Sequence, residues 1–369
     1  MQRVNNFGSL LQSYSLKKIL EELGHRVSFI DIKPNDDDRM LMEGYFETFS
    51  SESEKTNVVL NKLKKIDRYA LNRIHIKILN SSQDIKFKEF QHRVLKLSEK
   101  SNNEKYDLCI IGSDEVFNCN TVSPWGFTSQ LFGNVKQAER IITYAASCGS
   151  TKYENVPKKA LKKIKDTLKN VSAFSVRDKN TFKFLKNFTD DDININLDPV
   201  LIGDFSKEIE HAEKNLKLPE KYCIVYSYYN RINNADEINS IKNFCKKHGF
   251  KIVTIGAPQM WVKNHMVLTP FEVLATFKNA DFVYTDTFHG TIFSAKYSKK
   301  FAVMARNSNA NKLLDLVERL NLNNYLISED NDIEKIYAIN KNEEEIETIS
   351  IQAKDNALNY LNTYINEEK

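Results

Sequence analysis

A histidine stands directly after an apolar run in residues 284–290, which read YTDTFHG. Residues 282–284 are apolar and predict a short strand, and the sequence that follows Gly290 is typical of a helix. In an open α/β sheet, ligands bind in the crevice at the carboxyl ends of the strands, and helix N-termini at that edge favour anions. Because an imidazole can donate or accept a proton near neutral pH, His289 is a candidate for proton transfer. The alternative is that His289 is only an N-terminal helix residue that its own backbone satisfies.

The composition predicts a globular protein with two packed cores. Of the 369 residues, 41% are hydrophobic and 11% are aromatic, which is too many for a disordered chain. Single cores rarely grow beyond ~250–300 residues, so the length favours two domains. The net charge of +4 is spread over 53 basic and 49 acidic residues, without the concentrated basic stripe of a nucleic-acid-binding protein. Acidic or phosphorylated small molecules stay open as ligands, since a site needs only a few local cations.

The cysteines and the hydropathy pattern predict a cytoplasmic protein. The five cysteines are widely spaced and none forms a CxxC pair, which disfavours both a zinc ribbon and a disulfide framework. No apolar run approaches the ~20 residues needed to span a bilayer, so we expect at most peripheral contact with the inner face of the membrane. A lysine-rich helix predicted at residues 157–170 could attract anionic lipid, but a solvated helix face explains it better.

Apolar runs and helical patterns alternate along the chain in two series. Predicted strands occupy residues 27–32, 106–111, 141–146, 171–176 and 193–197 in the first series and 222–227, 251–255, 282–284 and 301–304 in the second. Strands that alternate with helices indicate parallel sheets. We therefore predict the α/β class, with two doubly wound, Rossmann-like domains that face each other across a cleft.

The predicted domains follow this alternation. Residues 1–200 form an N-terminal domain that includes a polar, variable helical region at residues 35–105. Residues 218–330 form a C-terminal domain after a charged linker, and residues 331–369 form a helical extension.

The beginning of the chain departs from the usual order of such a domain. A doubly wound domain normally opens with a strand, whereas residues 5–9 already form the first strand-to-helix turn, NNFGS. Either the first strand lies outside this sequence or the sheet starts elsewhere. We expect the first strand to be missing.

Four polar turns occur in a fixed order and carry a family resemblance. They read NFGSLLQSYSL at residues 6–16, IGSDEVFN at 111–118, SVRD at 175–178 with LDP at 197–199, and TDTFHG at 285–290. These turns resemble the motifs N-x-G-x-x-L-Q-x-x-A-L, G-S-D-Q-x-W-N, S-V-R-[DE] and T-D-S-F-H-G of the polysaccharide pyruvyl transferase family. Each motif alone is weak, and their order and spacing make the match. The departures from the family pattern are Glu115, Phe117, Thr287 and Lys312.

The resemblance implies a fold and a reaction. The fold is similar to that of two-domain glycosyltransferases of the GT-B type. The reaction transfers an enolpyruvyl-derived group from phosphoenolpyruvate onto two sugar hydroxyls and makes a cyclic pyruvate ketal on a surface polysaccharide or a lipid-linked glycan precursor. Phosphoenolpyruvate is a co-substrate, and neither a cofactor nor a metal is implied.

The resemblance also implies catalytic and donor-binding residues. His289 transfers the proton, and Asp286 either holds His289 or caps the helix that follows. Arg177 is the first donor clamp, because the planar guanidinium matches a carboxylate or a phosphate; the alternative is a surface pair with Asp178. The fourth motif adds Thr287 and Gly290 as donor-binding candidates. Arg306 is a further candidate, as a second cation, because it follows the predicted strand at residues 301–304.

The acceptor-binding candidates lie in the first two motifs: Asn6, Gly8, Ser113 and Asp114. Gly8 allows the backbone to approach a ligand, whereas Asn6 and Asp114 have the alternative of closing turns. Acidic runs at residues 36–38 and 190–192 indicate solvated loops, so we predict no metal site.

Two other functions fit the same elements. A fold does not fix its chemistry, so a nucleotide-sugar-dependent glycosyltransferase of the GT-B type stays an alternative. A glycan-binding or assembly protein that lost catalysis is the non-enzymatic alternative. Binding of an acceptor without turnover would distinguish the latter from an enzyme.

Overall fold

The computed structural model describes residues 1–43, 66–119, 125–229, 231–307, 309–328 and 332–366. The strands are β1 (Tyr106–Asp114), β2 (Ala138–Ala146), β3 (Phe174–Val176), β4 (Ile193–Ile195), β5 (Tyr222–Ser227), β6 (Lys251–Gly256), β7 (Asn264–His265), β8 (Phe282–Thr285) and β9 (Phe301–Val303). The first helices are α1 (Phe7–Glu22), α2 (Asp36–Met40), α3 (Ile66–Arg93), α4 (Lys158–Leu168), α5 (Lys179–Leu185), α6 (Pro199–Ile202) and α7 (Ser206–Glu213). The later helices are α8 (Ala235–His248), α9 (Pro270–Asn279), α10 (Phe288–Tyr297), α11 (Ala310–Arg319), α12 (Ile333–Ala338) and α13 (Glu343–Ile365). Short 3₁₀ turns lie at Glu99–Asn103, Ser129–Phe132, Tyr153–Asn155 and Asn323–Tyr325.

The strands form two parallel sheets. The first has four strands in the order β1-β2-β3-β4, and the second has five in the order β7-β6-β5-β8-β9. Every strand pair is parallel. The α/β class and the Rossmann-like character of the sheets are therefore confirmed. In the second sheet the strand order reverses between β5 and β8, which is the place where open α/β sheets bind ligands.

Both faces of the first sheet are covered by apolar side chains. Ile141 packs in one buried cluster with Phe174, whereas its neighbour Ile142 packs in another cluster with Tyr360 of α13. Successive residues of a strand point to opposite faces, so the two clusters lie on opposite sides of the sheet. The hydroxyl of Tyr360 also donates to the carbonyl of Thr143, 2.7 Å away. The C-terminal helix thus returns to the sheet that the first part of the chain builds.

The strand predicted at residues 27–32 is wrong. This segment forms no strand, and a cavity of about 520 Å³ lies between it and β1. Side chains satisfy its backbone in place of a sheet neighbour. The side chain of Gln2 donates to the carbonyl of Ile30 at 2.8 Å, and that of Gln130 donates to the carbonyl of Asp31 at 2.9 Å. The apolar pattern is therefore that of a half-buried segment outside the sheet, and β1 is the edge strand.

Two other segments refine the predicted organisation. The segment predicted as a linker contains helices α6 and α7. In the predicted helical region at residues 35–105, residues 44–65 lie outside the described residues, and α2 and α3 occupy much of the rest. Helix α3 packs against the second sheet's helices, because Gln83 hydrogen-bonds Leu268 in both directions and Lys86 pairs with Glu272 at 2.9 Å.

Candidate active site

The turn after β8 begins helix α10 and places His289 in its first turn. Thr287 is the N-cap residue, and its hydroxyl accepts a hydrogen bond from the backbone N–H of Gly290 at 2.9 Å. The interpretation of Asp286 as the helix cap is therefore wrong. Gly290 is buried, and a β-carbon on it would lie 2.1 Å from the hydroxyl oxygen of Thr285. Close packing explains this glycine, and donor binding by Thr287 and Gly290 stays a prediction.

The imidazole of His289 lies between the N-terminus of α1 and the buried carboxylate of Asp198. A β-carbon on Gly8 would lie only 2.1 Å from Nδ1 of His289. On the other edge of the ring, Nε2 is 3.6 Å from Oδ2 of Asp198, and it has no hydrogen-bond partner among the described atoms. Gly8 thus faces the histidine itself, so its backbone shapes the position of the proposed proton donor. The prediction that Gly8 binds the acceptor is untested.

Asp198 is the point where three segments meet. It is the N-cap of α6, and its Oδ1 accepts from the backbone N–H of Val200 at 3.0 Å. Its Oδ2 accepts from Nη1 of Arg177 at 3.1 Å and from the amide of Gln12. The side chain is fully buried. Burial raises the pKa of this carboxyl, but His289 and Arg177 outweigh burial and hold the pKa below its usual value. A buried charge needs such partners to be tolerated.

Arg177 is buried among carboxylates and is not a surface residue. Its side chain is 2% exposed, its Nη2 lies 3.6 Å from Oδ1 of Asp114, and its guanidinium stacks 4.2 Å from the ring centre of Phe288. The surface pair with Asp178 is wrong, because Asp178 caps α5 and accepts from the hydroxyl of Ser147 at 2.7 Å. Nε of Arg177 is buried without a hydrogen-bond partner among the described residues. The clamp on the donor stays a prediction.

Asp114 joins the end of β1 to helix α1. Its Oδ2 accepts from the hydroxyl of Ser9 at 2.7 Å. Burial raises the pKa of this carboxyl, but the charges of Arg177 and His289 and the Ser9 hydrogen bond lower it to about 2 overall. Ser113 is buried, and its hydroxyl donates to the carbonyl of Ala145 at 3.0 Å. Asp114 is therefore a permanent anion of the site, whereas Ser113 serves the packing behind it.

Asn6 is the N-cap of α1. Its side-chain oxygen accepts from the backbone N–H groups of Gly8 and Ser9 at 2.9 and 3.3 Å. The alternative that Asn6 closes the turn is therefore confirmed. Its amide nitrogen makes no hydrogen bond to the described residues, and Asn6 lines the cavity beside His289.

Asp286 is held by arginines. Nε of Arg306 donates to Oδ2 of Asp286 at 3.0 Å, and Nη1 of Arg231 lies 3.8 Å from Oδ1. The same Arg306 forms a two-pronged pair with Glu237, one contact of which is 2.9 Å. Burial raises the pKa of Asp286, and the two arginines oppose this shift. The side chain of Asp286 thus pairs with arginines, and its backbone carbonyl accepts from the amide of Asn309 at 2.7 Å. Among the described residues, no hydrogen bond or ion pair joins Asp286 to His289. Arg306 is already paired, and its role in donor binding stays a prediction.

A cavity of about 250 Å³ lies at the switch point of the second sheet, beside His289. Its walls come from the turns after β5, β6 and β8 and from the N-terminus of α1. The lining residues that matter most are Asn6, Ser227, Tyr228, Gly256, Thr287 and His289. This cavity is the candidate substrate site, because it combines the ligand position of the fold with the titratable histidine.

Sequence reasoning missed four contributors to the site: Gln12, Asp198, Tyr228 and Arg231. Gln12 and Asp198 belong to quoted motifs, so their motif positions were the available signal. Tyr228 and Arg231 follow β5 and lie outside the quoted motifs, although a strand ending at the predicted ligand edge pointed to that turn. Lys312 pairs with Glu115, so two of the departures from the family pattern contact each other.

Two features are absent from the described residues. Among them, no group of three or more His, Cys, Asp or Glu side chains is placed to hold a metal ion. Within the same parts of the chain, no helix combines the length and the apolar character that crossing a bilayer requires.

The fold and the site define a Rossmann-like α/β protein with a histidine–aspartate–arginine centre at the carboxyl ends of its strands. The family model for polysaccharide pyruvyl transferase matches residues 6–308. The chain therefore belongs to the polysaccharide pyruvyl transferase family, and every candidate site residue lies within the matched range. Among curated proteins, none matches the chain closely enough for comparison.

Proposed function

We propose that this protein transfers a pyruvyl group from phosphoenolpyruvate to two hydroxyls of one sugar and so forms a cyclic ketal. The acceptor belongs to a surface polysaccharide or to its lipid-linked precursor, and the protein works in the cytoplasm, at the inner face of the membrane. The proposal includes a GT-B-like arrangement of two domains around the site, with boundaries near residues 200 and 218.

The observation that carries the proposal is that a proton-transfer group, His289, and an anion-binding group, Arg177, lie close to the same carboxylate. Arg177 follows β3 of the first sheet, and His289 follows β8 of the second. Both lie near Oδ2 of Asp198, at 3.1 and 3.6 Å. Membership in the family supports the choice of reaction, and the adjoining cavity supports a small donor.

The reaction balances without a cofactor. A proton adds to the methylene carbon of phosphoenolpyruvate, and one sugar hydroxyl bonds to the adjacent carbon and loses its proton. The bond from that carbon to the phosphate oxygen then breaks. A second hydroxyl of the same sugar bonds to the same carbon and loses its proton. The products are the ketal and inorganic phosphate, and a general acid can accelerate such proton transfers by about 10²–10⁴-fold.

His289 is the proton donor in this scheme, and Asp198 orients its ring. The anionic donor lies at the N-termini of α1 and α10, whose free N–H groups favour negative charge. The nearby arginines already pair with carboxylates, so an anionic donor has to replace one of these carboxylates as the partner of an arginine. The contact between Arg231 and Asp286 is the longest of these pairs that the site residues form, at 3.8 Å. Arg231 is therefore the arginine that can leave its carboxylate partner for the donor at the lowest cost in free energy.

Phosphate release from phosphoenolpyruvate tests the proposal. The protein is incubated with the donor and a panel of hexose and hexosamine glycosides, and the His289→Ala variant serves as the control. We expect release that depends on both the acceptor and His289. Folded protein that releases no phosphate with any acceptor would count against the function.

Binding measurements separate the two alternative functions. Thermal shifts are recorded with phosphoenolpyruvate and with a set of nucleotide sugars. Stabilisation by nucleotide sugars alone would favour a glycosyltransferase. Acceptor binding without turnover, unchanged in His289→Ala, would favour a glycan-binding protein.

A further inference from the structure

Tyr228 is an aromatic side chain held at the mouth of the cavity with much of its surface open. It follows β5 directly, it is 48% exposed, and it lines the cavity together with His289. A single exposed apolar side chain is common, whereas a patch of several often marks a binding site. Tyr228 is adjacent in sequence to the exposed Tyr229, and Met260 in the turn after β6 is also exposed.

Tyr228 is held through its ring and through its backbone. The guanidinium of Arg231 stacks on it, 4.5 Å from the ring centre, and Arg231 in turn donates to the carbonyl of Asp286 at 3.3 Å. The backbone carbonyl of Tyr228 accepts from the amide of the buried Gln259 at 3.1 Å. Stacking and these hydrogen bonds fix the ring before any ligand arrives, which lowers the entropic cost of binding.

Charged side chains of the site act on the hydroxyl of Tyr228. Burial of the hydroxyl raises its pKa, and the charges of Lys312, Asp114 and Glu115 act on it. Asp114 is the last residue of β1, and Glu115 follows it. The hydroxyl makes no hydrogen bond to any described residue, and it can therefore serve a ligand as donor or acceptor.

We propose that Tyr228 is the platform for the acceptor sugar, and that this sugar is a neutral hexopyranose. The apolar C–H face of a pyranose packs on the open part of the ring, and its hydroxyls reach the hydroxyl of Tyr228 and the free amide of Asn6. The proposal rests on the proposed function for the identity of the reaction.

Charge explains why the acceptor is neutral. The cations around the cavity are already paired with carboxylates. Any cation that can change its partner is needed to bind the anionic donor. A sugar acid placed on Tyr228 would bring a carboxylate within reach of the charges of Asp114 and Glu115. The cations that act on Tyr228, Lys312 and Arg231, are already paired with Glu115 and Asp286. Like charges in a poorly solvated site repel each other strongly. A hexuronic acid is therefore a poor acceptor.

Acceptor kinetics of Tyr228→Ala and Tyr228→Phe test the platform. Tyr229→Ala is the matched control, because it removes a neighbouring tyrosine that is 53% exposed and outside the cavity lining. We expect Tyr228→Ala to raise the acceptor KM by about tenfold or more, and to raise the donor KM by a smaller factor because Arg231 stacks on this ring. Tyr228→Phe keeps the stacking surface and should show a smaller increase, and Tyr229→Ala should match the wild type. Equal effects of the two alanine variants, or an effect on the donor KM alone, would overturn the proposal.

A binding measurement keeps this test separate from the test of the reaction. Titration calorimetry uses methyl galactopyranoside, methyl glucopyranoside, methyl mannopyranoside and methyl glucuronide, with wild type and with each variant. We expect a neutral glycoside to bind the wild type and Tyr229→Ala, and to bind Tyr228→Ala at least about tenfold more weakly. If this pattern appears without phosphate release, the reaction is wrong and the platform stands. Preferred binding of the glucuronide, or no binding of any neutral glycoside, would refute the platform.

Discussion

Replacing Gly8 with alanine should move the histidine of the site without unfolding the protein. The new β-carbon would lie 2.1 Å from Nδ1 and 2.2 Å from Cγ of His289. Non-bonded heavy atoms sit at about 3.5–4.0 Å, so the ring or helix α1 has to move by more than about 1 Å. A displacement of about 1 Å can cost about 10²-fold in rate. We therefore expect kcat/KM to fall by about 10²-fold.

Gly8→Ala should lose about 2 kcal/mol of stability at most, so the variant stays folded. Overpacking costs about 1–3 kcal/mol, and alanine recovers up to about 1 kcal/mol of helix propensity relative to glycine. Phosphate release gives the rate, and urea unfolding gives the stability. Ser13→Ala, further along the same helix, is the control and should keep the wild-type rate.

A double-mutant cycle decides whether Gly8 acts through His289. If it does, adding Gly8→Ala to His289→Ala should not lower the residual rate further, because the group that Gly8 positions is already gone. A folded Gly8→Ala variant with wild-type kcat/KM would refute the reasoning, as would full additivity of the two substitutions.

The other predictions concern the buried charges and the packing of the site. Asp198→Asn removes the charge that pairs with Arg177, so the free energy of unfolding, measured by urea unfolding, should fall by about 3–5 kcal/mol. An unchanged value would contradict the role of Asp198 as the partner of this buried arginine. The pKa of Asp114 is lowered to about 2, so its carboxylate stabilises the fold above the unfolded pKa of about 3.9 and loses this effect as the pH falls toward 2. Between pH 5 and 2 the wild type should lose about 2 kcal/mol more than Asp114→Asn, and parallel pH curves in denaturant titrations would contradict this. Gly290→Ala should destabilise by about 1–3 kcal/mol through overpacking against Thr285, and an unchanged thermal midpoint would show that the helix yields without cost.

The sequence predicted correctly the strands whose pattern of apolar residues follows from burial alone. Residues 222–227 were predicted as a strand, and β5 has those bounds, because a central parallel strand is buried along its whole length. β1 runs three residues beyond its predicted end. Its last residue, Asp114, pairs in register with Ala146 of β2, and such pairing depends on a neighbour that is distant in sequence.

The errors have the same origin. Residues 27–32 carry the apolar pattern of a strand, but they lie beside a cavity and have no strand to pair with. Whether such a segment joins a sheet depends on its tertiary neighbours, which local sequence does not specify.

The sequence predicted several residues of the site but not the contacts between them. His289, Arg177 and Asp114 were named from the motifs, and the structure brings them within one set of contacts. Asp198 was quoted in a motif, but its partners Gln12 and His289 are distant along the chain. The same holds for Asp286, which was predicted to serve His289 or cap a helix and instead contacts arginines from two other turns.

The most direct measurement is phosphate release from phosphoenolpyruvate by purified protein in the presence of a neutral hexoside, together with mass spectrometry of the sugar product. Our account predicts phosphate release in step with the appearance of a pyruvate ketal, and the loss of both in His289→Ala. Release of phosphate without a modified sugar, or equal product from wild type and His289→Ala, would contradict it.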